Sequence, residues 1–211
     1  MDFNWLIPVI IALMVYACVY YYLKSRKVLP HVIDFMGPCI MIKTERVGFF
    51  DTLARPKKLL YAYATAGVLI TLLCAVVVTV MFLVSGILSL TVQTDPIPPQ
   101  DLLLIPGLNS YVPSTFAVWF ALFFAMIIHE AGHGIISRVE KMRVKSTGLL
   151  TLIIPIGAFV ESYGEDVEKA ALGSKLRMFA AGITNNMVVG TICLVLLAAL
   201  LGMAVPGDHP Y

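Results

Sequence analysis

Charge is scarce in this chain. Asp, Glu, Lys and Arg make up 13% of its 211 residues, where a soluble domain carries about 25%. Hydrophobic residues reach 59% and the mean hydropathy is +0.89. A soluble globular domain is excluded, and a polytopic membrane protein is left. Paired cysteines are missing as well. Cys18, Cys39, Cys74 and Cys193 fall in separate segments with no C-x-x-C, so neither a disulfide framework nor a cysteine zinc site is indicated. The first apolar run lacks the basic flank and small-residue cleavage site of a signal peptide, which predicts that it is retained. A net charge of +2 gives no reason to expect nucleic acid, because the basic residues have another pattern to explain.

That pattern is itself one of absences. All fifteen Lys and Arg lie in residues 24–58, 138–145 and 169–177, with none before the first apolar run, in 91–113, or after 205. By the positive-inside rule the basic stretches are cytoplasmic and both ends of the chain extracytoplasmic. Four apolar runs are long enough to span a bilayer, at about 3–23, 59–90, 114–139 and 178–205. The fold class expected is an all-α polytopic membrane protein of about four transmembrane helices, with a short re-entrant or interfacial β element between helices three and four. Residues 1–58 form a first span and a basic cytoplasmic region, in which 41–47 read as a short strand and 49–53 as a short amphipathic surface helix. Residues 59–113 form a second span and an extracytoplasmic loop, 114–205 a core, and 206–211 a tail.

Within the third run stands His129-Glu130-Ala131-Gly132-His133, an H-E-x-x-H. On a helix, positions i and i+4 share a face, so both imidazoles can reach one ion, while Glu130 lies about 100° around the axis. Zinc held there would lower the pKa of its water to roughly 7, and Glu130 would take the proton. Two imidazoles and a carboxylate in an apolar, membrane-length segment are costly unless paired or coordinated, which favours function over ornament. Arg138 lies five residues past His133, about 7.5 Å along a helix, so the motif sits toward the cytoplasmic end of its span. Ala131, Gly132 and Gly134 leave the helix thin enough for close approach of another element.

Two further stretches bear on the same chemistry. Residues 149–154 are apolar but too short to span, and Pro155 disfavours a continuous helix. With Gly157, Ala158, Phe159 and Val160 they form a candidate re-entrant strand or hairpin, whose edge could hold an extended peptide by β-augmentation. Asn185 and Asn186 enter the fourth apolar run near its cytoplasmic side. Two roles are open to them: bridging helices, or holding a substrate carbonyl or oxyanion beside a metal.

Taken together, H-E-A-G-H in an apolar helix, G-A-F-V-E after a short apolar run, and A-A-G-I-T-N-N opening the next span resemble the site-2 protease family over residues 114–205. Those proteins are intramembrane zinc metalloproteases. The resemblance implies zinc ligation by His129 and His133, Glu130 as general base, and Asn186, four after Gly182, in the family's A-G-P-x-x-N position, with Ile183 where many members have proline. It implies substrate clamping by the strand containing Gly157, Ala158, Phe159 and Val160. The expected partners are the lipid bilayer and a transmembrane substrate helix, cut near its cytoplasmic end in regulated intramembrane proteolysis. The family's third zinc ligand is an aspartate in a later L-D-G motif, and no L-D-G occurs in residues 1–211. The chain is therefore expected to be the N-terminal half of such a protein. Asp208 and His209 are rejected as substitutes, since the fourth span puts them some 30 Å away. The alternative expectation is a metal-binding membrane pseudoenzyme or regulatory protein.

Overall fold

The computed structural model describes residues 6–91, 97–102, 104–152 and 154–204. In chain order it contains α1 (Leu6–Arg26), β1 (Ile33–Met36), β2 (Cys39–Thr44), α2 (Gly48–Leu53), α3 (Lys57–Ser89), a 3-10 turn (Pro99–Leu102), α4 (Phe116–Val139), β3 (Val144–Leu152), β4 (Ile154–Ser162), α5 (Gly164–Lys169) and α6 (Leu172–Ala204). Two compact units result, each made of two separated stretches: Met1–Lys57 with His133–Ala171, and Lys58–Gly132 with Leu172–Tyr211. The division falls inside the single helix α4. The tail at 206–211, with Asp208 and His209, and the first residues of the expected first span lie outside the described residues.

The second unit is built from apolar helices. Among the described residues three are long and apolar enough to cross a membrane: α3, α4 and α6. At 33 residues, α3 and α6 each extend about 50 Å, well past a hydrocarbon core of about 30 Å. Large side chains such as Met81, Phe82, Phe116 and Leu194 are mostly exposed along them. So much uncovered apolar surface has no place in water; lipid covers it, and the protein is an integral membrane protein. The helix α1, 21 residues long, occupies the expected first span. The helix α6 starts several residues before its apolar run does. Its first two turns carry Lys175 and Arg177, and the Arg177 guanidinium lies over the Tyr61 ring at 4.2 Å, a polar prelude that hydropathy alone does not register.

Helix contacts in this unit rest on small residues. Gly132 of α4 meets the backbone of α6: a Cβ on it would lie 2.7 Å from the Ala181 carbonyl oxygen. Gly67 of α3 similarly leaves room for Thr184, which is buried and whose hydroxyl donates to its own helix at Ala180. The loop before α4 is organised by Asn109, 5% exposed, whose Nδ2 donates to the Asp101 carbonyl, while Asp101 Oδ1 accepts from the Ser110 N–H.

The first unit holds the β structure, which is more extensive than the short element expected between helices three and four. There, β3 and β4 do form the anticipated hairpin, but β1 and β2 from the first polar region join it in an antiparallel sheet ordered β1-β2-β3-β4. Register runs Ile42↔Leu149 and Lys43↔Gly148 across β2–β3, and Gly148↔Phe159 and Leu150↔Gly157 across β3–β4. Gly148 is required where it stands, because a Cβ there would collide with the Ile42 carbonyl of the neighbouring strand. The expected strand at 41–47 is β2, which starts two residues earlier and ends three residues earlier. The expected surface helix is α2. Its Phe50 is 1% exposed and packs with Val47 and Val144, with Ile135 and Val160 against them. Gly134 leaves the space that the Phe50 ring fills, so here the thin face of α4 admits a side chain rather than a backbone.

The exit from α4 explains how the chain turns into β3. Lys141 adopts a left-handed φ of 65°. The Met142 N–H donates to the Ser137 carbonyl at 2.8 Å and the Lys141 N–H to Arg138 at 3.2 Å. This is the Schellman pattern, which satisfies carbonyls that the helix end leaves unpaired. Met142, 2% exposed, seals the turn.

Candidate metal centre

The helix α4 carries the candidate metal ligands. Over 24 residues its sequence is an apolar run that becomes polar only in its last three turns, and those turns hold His129, Glu130 and His133. All three are partly buried, and one ligand-capable atom from each lies within 4.8 Å of the others. The grouping is local to one helix: i and i+4 fall on one face, and the intervening carboxylate lies alongside.

The donor set suits zinc. Ligands about 2.1 Å from a tetrahedral ion lie roughly 3–4 Å apart, within the reach of these side chains. Two neutral imidazoles and a carboxylate are hard-to-borderline donors, and no thiol is among them. His129 and His133 are the pair whose spacing lets both rings reach one ion.

The two consecutive asparagines of α6 separate by role. They stand about 100° apart on the helix and cannot both face one point. Asn185 is a bridge: its Nδ2 donates to the Ile128 carbonyl of α4 at 3.1 Å, and its Oδ1 accepts from the Tyr63 hydroxyl of α3 at 2.7 Å. One amide thereby ties three apolar helices one residue from His129. Asn186 instead places its Nδ2 3.3 Å from His129 Nδ1, and its Oδ1 is buried with no hydrogen-bond partner. Tyr63 went unforeseen in the sequence, where a tyrosine near the start of an apolar helix reads as an interfacial aromatic.

Gly157, Ala158, Phe159 and Val160 lie together on β4, opposite Leu150, Leu149, Gly148 and Thr147 of β3. As the last strand in the sheet order, β4 is an edge, and the Thr147 hydroxyl donates to the Phe159 carbonyl at 2.9 Å. These residues belong to the first unit and Asn186 to the second.

Polar groups flanking the hairpin are strongly paired. Arg143 holds Asp166 through its guanidinium, at 2.7 and 2.8 Å, and through its backbone N–H at 2.9 Å. Those bonds bring the Asp166 carboxyl down to about 2. Glu161 accepts from Lys145 and from the buried Ser146, at 2.8 and 2.7 Å, and is also held below the ordinary carboxylate range. These groups are committed to structure.

Comparison with known proteins converges on the same helices. Residues 117–208 match the family model described as Peptidase family M50. An uncharacterised protein of Methanocaldococcus jannaschii is 36% identical over 70 residues, which are 33% of this chain and 19% of that protein. The match thus spans about a fifth of the length of that relative. No solved structure matches the chain.

Proposed function

We propose that the protein is an intramembrane zinc endopeptidase of the site-2 protease kind, a reading supported by the match of residues 117–208 to the model described as Peptidase family M50 and by the His129-Glu130-His133 cluster. It cuts a transmembrane substrate helix near its cytoplasmic end, in regulated intramembrane proteolysis. The observation that carries this reading is the clustering of His129, Glu130 and His133 within 4.8 Å on a helix apolar enough to span. Both ends of the chain lie outside the cytoplasm on this reading, α1 supplies the fourth crossing, and the motif opens toward cytoplasmic water, as the basic stretches suggest.

His129 and His133 are the residues that would hold the ion. Zinc supplies Lewis-acid activation of water and of the scissile carbonyl. Glu130 accepts the proton of the attacking water and returns it to the departing amine. Asn186 offers its amide to the substrate carbonyl, where charge develops. The substrate must unwind locally, because a helix hides its amides in its own hydrogen bonds. An extended segment is what the edge of β4 can bind, through main-chain bonds.

In the full-length protein, Glu130→Gln keeps the shape and removes the base. It should retain metal and lose cleavage by about 10²–10⁴-fold, the usual worth of a general base. Cleavage at the wild-type rate removes Glu130 from the mechanism. Metal bound with no cleavage by the wild type of any membrane substrate moves the pseudoenzyme reading to the front.

A further inference from the structure

The pairing of Asn186 with His129 carries an inference that deepens the proposed function and rests on His129 as a metal ligand. Asn186 Nδ2 lies 3.3 Å from His129 Nδ1, which leaves Nε2 as the ring nitrogen for the ion. An imidazole that binds a metal through Nε2 keeps its proton on Nδ1 and is a donor there. Two donors cannot share that contact. An amide resolves the conflict by a half-turn about χ2, since its oxygen and NH2 have nearly the same shape. The half-turn places Oδ1 on the Nδ1 proton. It also moves the NH2 into the buried position that Oδ1 now occupies.

We infer that Asn186 is the positioning residue of His129: its amide carbonyl accepts the Nδ1 proton and fixes the tautomer that presents Nε2 to the metal, while its NH2 takes the buried position that Oδ1 now holds. Asn185 cannot take this role, because both ends of its amide are engaged, by Ile128 and Tyr63. Metal affinity and the direction of a hydrogen-bond donor are thereby set by one side chain on a different helix from the ligand.

The test is zinc affinity of the full-length protein in detergent, by competition with a chromogenic chelator, for Asn186→Asp, Asn186→Leu and His129→Ala. A carboxylate still accepts from Nδ1, so Asn186→Asp should stay within about threefold of the wild type, whereas Asn186→Leu should lose 10–100-fold, the range for lost orienting partners. Equal losses in the two variants, or wild-type affinity in Asn186→Leu, overturn the inference. His129→Ala separates the levels. If it loses zinc while Asn186→Leu does not, only the role of Asn186 falls; if it binds zinc as the wild type does, the metal centre itself is misassigned. Should Asn186→Leu fail to fold, the 15N resonances of His129 in zinc-loaded wild type decide. A protonated Nδ1 supports the inference and an unprotonated one overturns it.

Discussion

Replacing Gly132 by alanine adds one methyl group at the closest approach of α4 and α6. That methyl would lie 2.7 Å from the carbonyl oxygen of Ala181, 2.9 Å from its carbon and 2.8 Å from Asn185 Nδ2. Carbon atoms in contact prefer about 3.5–4.0 Å, and two of the three obstacles are helix backbone, which cannot swing aside. The helices must part by several tenths of an ångström. The Asn185–Ile128 hydrogen bond, already 3.1 Å long, stretches with them. Alanine gains about 1 kcal/mol over glycine in helix propensity, but overpacking typically costs about 1–3 kcal/mol, and a weakened interhelical hydrogen bond adds about 0.6 kcal/mol. The net expectation is a loss of roughly 1–2 kcal/mol. Thermal unfolding of the detergent-solubilised protein measures it, with Gly190→Ala as reference. Nothing lies within 4 Å of a Cβ at Gly190, so that variant reports the propensity gain alone and should be as stable as wild type or more so. Equal melting temperatures for the two variants would refute the close-approach argument.

Two other outcomes follow from the polar contacts. Tyr63→Phe removes the donor to Asn185 Oδ1 and should cost roughly 1 kcal/mol, as interhelical hydrogen bonds in membranes do, seen as a lower melting temperature; no change would mean the bond is not formed. Asp166, held by Arg143 at about 2 against an ordinary 3.8, contributes stability that is present above the ordinary value and lost as pH falls through the folded one. The melting-temperature gap between wild type and Asp166→Asn should therefore be widest near neutrality and close between about pH 4 and 2; a gap independent of pH contradicts the pairing.

The helical part of the fold is legible because its signal is long and local. An apolar run of twenty residues or more has few outcomes once water is excluded, and α3 and α4 begin and end within two residues of theirs. The sheet is less legible. Its hairpin β3–β4 announces itself through an apolar run too short to span, but β2 pairs with β3 across more than a hundred residues, and no pattern within either segment specifies such a partner. The place where α4 stops is legible but the device that stops it is not, since Lys141 takes the left-handed position where glycine is usual. At the site, spacing alone placed His129, Glu130 and His133 together, because one helix makes that geometry. The different contacts of Asn185 and Asn186 needed a second and a third helix, and Tyr63, which occupies the Asn185 amide, sits 122 residues away in sequence.

On the proposed function, His129 and His133 hold a zinc ion on which peptide hydrolysis depends. The most direct measurement is metal content together with cleavage in the purified full-length protein, reconstituted with a transmembrane substrate. One zinc per chain is expected, lost with His129→Ala or His133→Ala, with cleavage abolished by chelation and restored by zinc. Cleavage that persists after the metal is stripped, or zinc that remains in both histidine variants, would contradict the proposed function.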